Sequence, residues 1–266
     1  MQKKVTALAS SLALVLFASL SACSSSSNNT AANENGGHSG APHWSYEGDT
    51  GPAHWGDLST EWAACKNGQT QSPIDIANAA VGGLHDVSFN YQPTGYSVQN
   101  NGHTIMATPT AGGSISVNGK EYTLKQFHFH APSEHTKDGV PYAAEGHLVH
   151  QAADGEYAVV GILYNDGAED TVVAGVWANV PAVEGEDVTA EGFELNPQDL
   201  LPGGLNYWRY SGSLTTPPCT EGLIWTVLEA PMTLSTEQIA VLQEHFTANA
   251  RPVQSLFDRI VTYVMQ

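Results

Sequence analysis

The sequence predicts a mainly β (α+β) chain in which a mostly antiparallel sheet carries two helices on its outside. Three observations predict this. Short apolar runs are separated by turn signals at Asn118-Gly119, Lys137-Asp138-Gly139 and Asp154-Gly155. The runs themselves, such as Tyr122, Leu124, Phe127 and Phe129 or residues 157–164, read as strands. Only two stretches have helical spacing: Val172, Val173, Val176, Trp177 and Val180, and the Ile239, Leu242, Phe246 stripe behind a Ser235…Gln238 capping box. With 266 residues, 41% hydrophobic content and no internal repeat, one large domain is expected.

In chain order, Met1-Gln2-Lys3-Lys4 and the apolar run to Leu20 read as an export signal over residues 1–22. The run is too short for a comfortable membrane span. Leu20-Ser21-Ala22-Cys23 resembles a bacterial lipoprotein cleavage box with Cys23 as the lipidated first residue; ordinary signal cleavage nearby is the alternative. Residues 23–43 are rich in Ser, Asn and Gly and read as a tether. The body, 44–266, opens with Trp44, Tyr46, Trp55 and Trp62 as an aromatic cluster. Gln71-Ser72-Pro73-Ile74-Asp75-Ile76 reads as a turn into a strand, and residues 85–124 alternate strands and turns. Leu223 to Leu228 is a buried strand that puts Leu223 and Trp225 on one face.

The chain holds 27 Asp plus Glu against 9 Lys plus Arg, a formal charge of −18. Phosphate backbones are repelled by such a surface, which argues against nucleic acid as a partner. The acidity otherwise reads as a solvated surface.

Candidate chemistry centres on Gln126-Phe127-His128-Phe129-His130. Residues i and i+2 of a strand share a face, so the two imidazoles project together and the phenyl rings pack opposite. The Lys137-Asp138-Gly139 turn is read as the corner of a hairpin that returns His147 to the same level. Three neutral imidazoles with one open position form the pattern of a catalytic zinc, whereas structural zinc is usually closed by four ligands. Gln126 and Glu145 each stand two residues before a candidate ligand and are placed to accept its other ring N–H. Three core or surface histidines with no metal are the plain alternative.

These stretches, with Gly51-Pro52-Ala53-His54-Trp55, Gln71-Ser72-Pro73-Ile74-Asp75-Ile76, Asn100-Asn101-Gly102-His103, Ser213-Leu214-Thr215-Thr216-Pro217-Pro218 and Ala250-Arg251-Pro252-Val253-Gln254, resemble the alpha-class carbonic anhydrases over about residues 44 to 264. The resemblance implies a single large twisted sheet and a zinc lyase. Its reaction is the reversible hydration of carbon dioxide to bicarbonate and a proton by a zinc-bound hydroxide. It implies Zn²⁺ on His128, His130 and His147, with Thr215 accepting from the hydroxide and donating to Glu134, and Thr216 beside bicarbonate. Val149, Val159, Leu214, Leu223 and Trp225 match its apolar wall, for which plain core packing is the alternative. His103 matches its proton shuttle, and Tyr46 a tyrosine at the rim. Met106 departs from the polar residue the family often has near the shuttle, and Arg251 is expected as a structural ion-pair residue.

Exported relatives have a disulfide at places matching Cys65 and Cys219, the two cysteines left once Cys23 carries lipid; two buried free thiols are the alternative. The expected location is periplasmic, with the membrane reached only through the anchor at Cys23, as a monomer or homodimer. Two rival functions stand beside the hydratase: a catalytically silent carbonic-anhydrase-like binding module, and a zinc esterase. The presence of all three histidines with Glu134 and Thr215 speaks against the first, and no extended substrate groove is readable for the second.

Overall fold

The computed structural model describes residues 42–83 and 86–266. The expected signal, Cys23 and most of the tether lie outside the described residues. A twisted 13-stranded sheet dominates, with the main path Asp187–Leu195, Thr94–Asn100, Ile105–Pro109, Lys120–His130, Ala144–Gln151, Tyr157–Asp166, Glu221–Leu228, Tyr207–Ser213, Thr262–Val264, Ala80–Val81, and with Val87–Asn90, Ser114–Val117 and Met232–Leu234 paired off that path. Most neighbours are antiparallel, as expected. Tyr157–Asp166 and Glu221–Leu228 pair in parallel, so the sheet is mixed next to the site.

The Asn118-Gly119 turn joins Ser114–Val117 to Lys120–His130 as the dipeptide predicts. Both residues sit at positive φ, 52° and 78°, the backbone of a two-residue turn that matches strand twist. Both helices are present, Thr171–Trp177 with an Asp170 cap and Thr236–His245 with the Ser235/Gln238 capping box complete.

One expectation needs correction. Lys137-Asp138-Gly139 does not turn the metal-site hairpin. It closes a separate small hairpin, Thr136–Lys137 with Val140–Pro141, which pairs with Asp75–Ile76 in its own three-stranded sheet. The chain detours through this satellite and only then returns as Ala144–Gln151. The register nevertheless places His147 directly opposite His128.

The apolar pattern of Lys120–His130 changes parity between Leu124 and Phe127. The pairing register shifts at the same place: Val149 faces Gln126, while His150 faces Leu124. Lys125 is the extra residue of a bulge. The bulge lets Tyr122, Leu124, Phe127 and Phe129 all enter one core with Leu148, Ile162 and Val173. Without it, the second half of the strand would present its histidines to that core. The other face carries a second cluster that includes Ile74, Val149, Val159, Leu223 and Trp225. A third, of Trp55, Trp62, Cys65 and Cys219 with Trp44 and Tyr46 against it, packs the N-terminal stretch around Cys219.

Candidate metal centre

His128 and His130 leave the strand on the face opposite Phe127 and Phe129, and His147 meets them from the neighbouring strand. The three ring centroids lie 4.6 to 5.1 Å apart. Each ring spends one nitrogen on a fixed acceptor. His128 Nδ1 donates to Gln126 Oε1 at 2.8 Å, His130 Nδ1 to the Asn249 carbonyl at 2.6 Å, and His147 Nε2 to Glu145 Oε1 at 2.9 Å. One nitrogen of each ring lies within 4.8 Å of the others, and the nitrogens not spent on these acceptors are Nε2, Nε2 and Nδ1.

The donor set fits a cation. His130 Nε2 and Glu134 Oε2 are both buried without a hydrogen-bond partner. Oε2 lies 3.6 Å from His130 Nε2 and 3.9 Å from His147 Nδ1. Buried polar atoms are rarely left unpaired, and a metal with its own ligand water would engage both. Burial, with the neighbouring imidazoles, holds His128 well below the usual histidine range, and burial likewise lowers His130. Neutral imidazole is the ligating form.

A second group, His135, Glu145 and His147, has similar proximity, but its atoms are already committed. Glu145 Oε1 accepts from His135 Nδ1 and His147 Nε2, while Oε2 accepts the backbone N–H groups of Glu134 and His135. Burial raises the Glu145 carboxyl, but the two imidazoles outweigh it and bring the pKa well below the ordinary range. The same carboxylate outweighs burial at His147 and raises that imidazole. His135 Nε2 then accepts from the Tyr210 hydroxyl, which meets Ser72 Oγ at 2.8 Å. The Gln71-Ser72-Pro73 motif is thus tied to the support of a ligand.

Val149, Val159, Leu214, Trp225, Thr215 and Thr216 line a cavity of about 240 Å³ with His128 and His147. Leu223 is not in that lining. It is 2% exposed and packs behind it with Val149, Val159 and Trp225. Tyr157 lines the cavity and was readable only by its place two residues before Val159, on the same face. The hydrogen bond expected from Thr215 to Glu134 is not formed: Oε2 has no donor, and Oε1 accepts the Arg251 backbone N–H at 2.8 Å.

Arg251 itself corrects the ion-pair expectation. Its guanidinium donates to Gln71 Oε1 and to the carbonyls of Ser72 and Cys65, and stands over the Trp55 ring. Burial brings its pKa down to about 10, against the opposing pull of Glu134 and Tyr46. Cys65 and Cys219 are joined, and the Cys219 N–H reaches the Thr216 carbonyl at 2.8 Å, next to the cavity.

On the other side of His128, a smaller cavity of about 110 Å³ is lined by Trp44, Tyr46, His103, Met106, His130 and Thr216, among others. The His103 ring stacks on Trp44 at 3.7 Å and 8°. Partial burial lowers the His103 pKa, His43 adds to this, and Glu184 opposes it.

Residues 50–265 match the family model for eukaryotic-type carbonic anhydrase. The chain belongs to that family. The carbonic anhydrase of Pectobacterium carotovorum is 43% identical over 225 residues, covering 83% of this chain and 91% of the relative. That of Klebsiella pneumoniae is 44% identical over 224 residues, with the same two coverages. The alpha-carbonic anhydrase of Thermovibrio ammonificans, solved with the inhibitor sulfanilamide, superposes with a TM-score of 0.81 at 44% identity, over 84% of this chain and 100% of that one. The fold is therefore that of an alpha-carbonic anhydrase and the chain is an enzyme of this family. Among the described residues no helix is long and apolar enough to cross a membrane.

Proposed function

We propose that this carbonic anhydrase holds one Zn²⁺ on His128 Nε2, His130 Nε2 and His147 Nδ1 and hydrates carbon dioxide reversibly to bicarbonate and a proton. The observation that carries the reading is the division of the imidazole nitrogens: three bonded to fixed acceptors, three turned toward one another beside an unpartnered carboxylate oxygen. Zinc, when bound, supplies the positive charge that makes water acidic enough to furnish hydroxide near neutral pH, an effect best known from carbonic anhydrase itself.

The chain's own groups then divide the work. Glu134, which when ionised can only accept, is fixed through Oε1 by the Arg251 backbone N–H, and Oε2 is left for the Thr215 hydroxyl. A hydrogen bond donated to Glu134 would leave the Thr215 oxygen to accept one from the nucleophile and orient its lone pair toward carbon. Val149, Val159, Leu214 and Trp225 offer uncharged carbon dioxide an apolar place and hold water back. Thr216 faces the same cavity and is assigned to bicarbonate. His103, an imidazole lining the smaller cavity on the other side of His128, is assigned to take the proton out.

Metal analysis and a carbon dioxide hydration assay test this together. Stoichiometric zinc, hydration inhibited by sulfanilamide, and loss of both zinc and activity in His147→Ala are expected. A zinc-free preparation that hydrates at full rate overturns the reading, as does zinc-loaded protein with ester hydrolysis only.

The reading extends to export. The Cys65–Cys219 bond supports an oxidising compartment. Residues 1–22 are assigned to the signal, Cys23 to a lipid anchor and 23–43 to a tether before the catalytic domain. Mass spectrometry of the mature protein should find an acylated Cys23 at its N-terminus. An unmodified N-terminus elsewhere contradicts the anchor.

A further inference from the structure

We propose that Asn249 is a positioning residue for proton exit: its side-chain amide holds the His103 turn at a fixed distance from the strand that carries His128 and His130. The inference rests on the reading of His103 as proton acceptor.

The backbone ladder between Ile105–Pro109 and Lys120–His130 ends at the Met106–His128 pair. Beyond it, toward His103, side chains take over. Asn249 is 0% exposed and every hydrogen-bonding group of its amide is engaged. Oδ1 accepts the Ala131 N–H at 2.8 Å, and Nδ2 donates to the Phe129 carbonyl at 2.9 Å and the His103 carbonyl at 3.1 Å. Its main-chain carbonyl takes the His130 Nδ1–H. One residue therefore grips a zinc-ligand imidazole, the ligand strand on both sides of His130, and the shuttle turn.

Thr104 adds a second fastening. Its hydroxyl donates to the Phe129 carbonyl at 2.6 Å and accepts the Phe129 N–H at 3.2 Å. Asn101 Oδ1 closes the turn from within by accepting the N–H groups of His103 and Thr104. These bonds tie the His103 backbone to the ligand strand, and its ring stacks on Trp44. Transfer over bridging water depends on that spacing, because a shift of about 1 Å breaks or lengthens the hydrogen-bonded path.

Asn249→Asp tests this. It keeps an acceptor for Ala131 and puts an oxygen against the two carbonyls that Nδ2 now bonds. Turnover at low buffer should fall on the order of tenfold, kcat/KM for carbon dioxide by less than about twofold, and added imidazole buffer should restore turnover. Zinc should remain stoichiometric, and amide hydrogen exchange over residues 101–106 should quicken. Thr104→Val should reproduce the pattern more weakly and serves if Asn249→Asp does not fold, while Thr104→Ser should behave as the parent.

Parallel loss of kcat, kcat/KM and zinc without imidazole rescue overturns the inference, since Asn249 then supports only the ligand. Unaltered low-buffer turnover in Asn249→Asp, with His103→Ala impaired, overturns the inference and leaves the role of His103 standing. Unaltered turnover in His103→Ala overturns both.

Discussion

Glu145 Oε1 accepts the Nε2–H of His147 at 2.9 Å, with both side chains buried, and so decides which nitrogen of that ring faces its neighbours. His128 and His130 are turned the other way, because their acceptors, Gln126 Oε1 and the Asn249 carbonyl, lie on the Nδ1 side.

The first prediction follows from this. Glu145 takes four donors on two oxygens, and Glu145→Gln would set an amide NH₂ against two of them. Zinc affinity should fall roughly 10- to 100-fold. Competition with a chelator measures it, and an unchanged affinity contradicts the orienting role.

Reduction of Cys65–Cys219 should be costly. The bond closes a separation of 154 residues. The chain-entropy account gives roughly 4–5 kcal/mol for such a loop, or a fall in Tm of about 10 °C or more for a domain of this size. Thermal unfolding with and without reductant, with thiols counted in parallel, should show it. No shift after verified reduction contradicts the claim.

Acid should act partly through His150, which lies on the core face away from the metal site. Its Nε2 meets the Tyr91 hydroxyl at 2.7 Å and its Nδ1 donates to the Ala158 carbonyl. Burial holds its folded pKa down to about 3. The ordinary value near 6.5 applies when unfolded. Above that value the ring is neutral in both states and its contribution is complete. As pH falls the unfolded chain gains the proton first, so stability drops by up to about 1.4 kcal/mol per pH unit until the folded pKa is reached. Urea unfolding between pH 6.5 and 4 should show a steeper loss in the parent than in His150→Gln. Equal slopes exclude His150 as a contributor.

His103→Ala should lower maximal turnover at low buffer and spare the second-order rate with carbon dioxide, since that step precedes proton export. Imidazole buffer should recover much of the loss. Normal low-buffer turnover would mean that protons leave by another route past Met106, which lines the same cavity.

The strand period made His128, His130 and their acceptor Gln126 legible, and the i, i+2 rule that put Glu145 beside His147 identified its partner. The same rule reaches Tyr157 from Val159. Other features depend on tertiary contacts for which a single sequence has no period. The Lys125 bulge shows only as a parity change between Leu124 and Phe127. Asn249 touches His103 and Phe129 across separations of 146 and 120 residues. The satellite hairpin at Asp138-Gly139 has the turn chemistry of a site hairpin, and only its pairing with Asp75–Ile76 tells them apart.

The most direct test of the central claim is an anomalous difference map recorded across the zinc edge on crystals of the purified protein. One peak is expected about 2.0–2.1 Å from His128 Nε2, His130 Nε2 and His147 Nδ1. A peak on His135 and Glu145, or zinc held away from these three nitrogens in active protein, would contradict it.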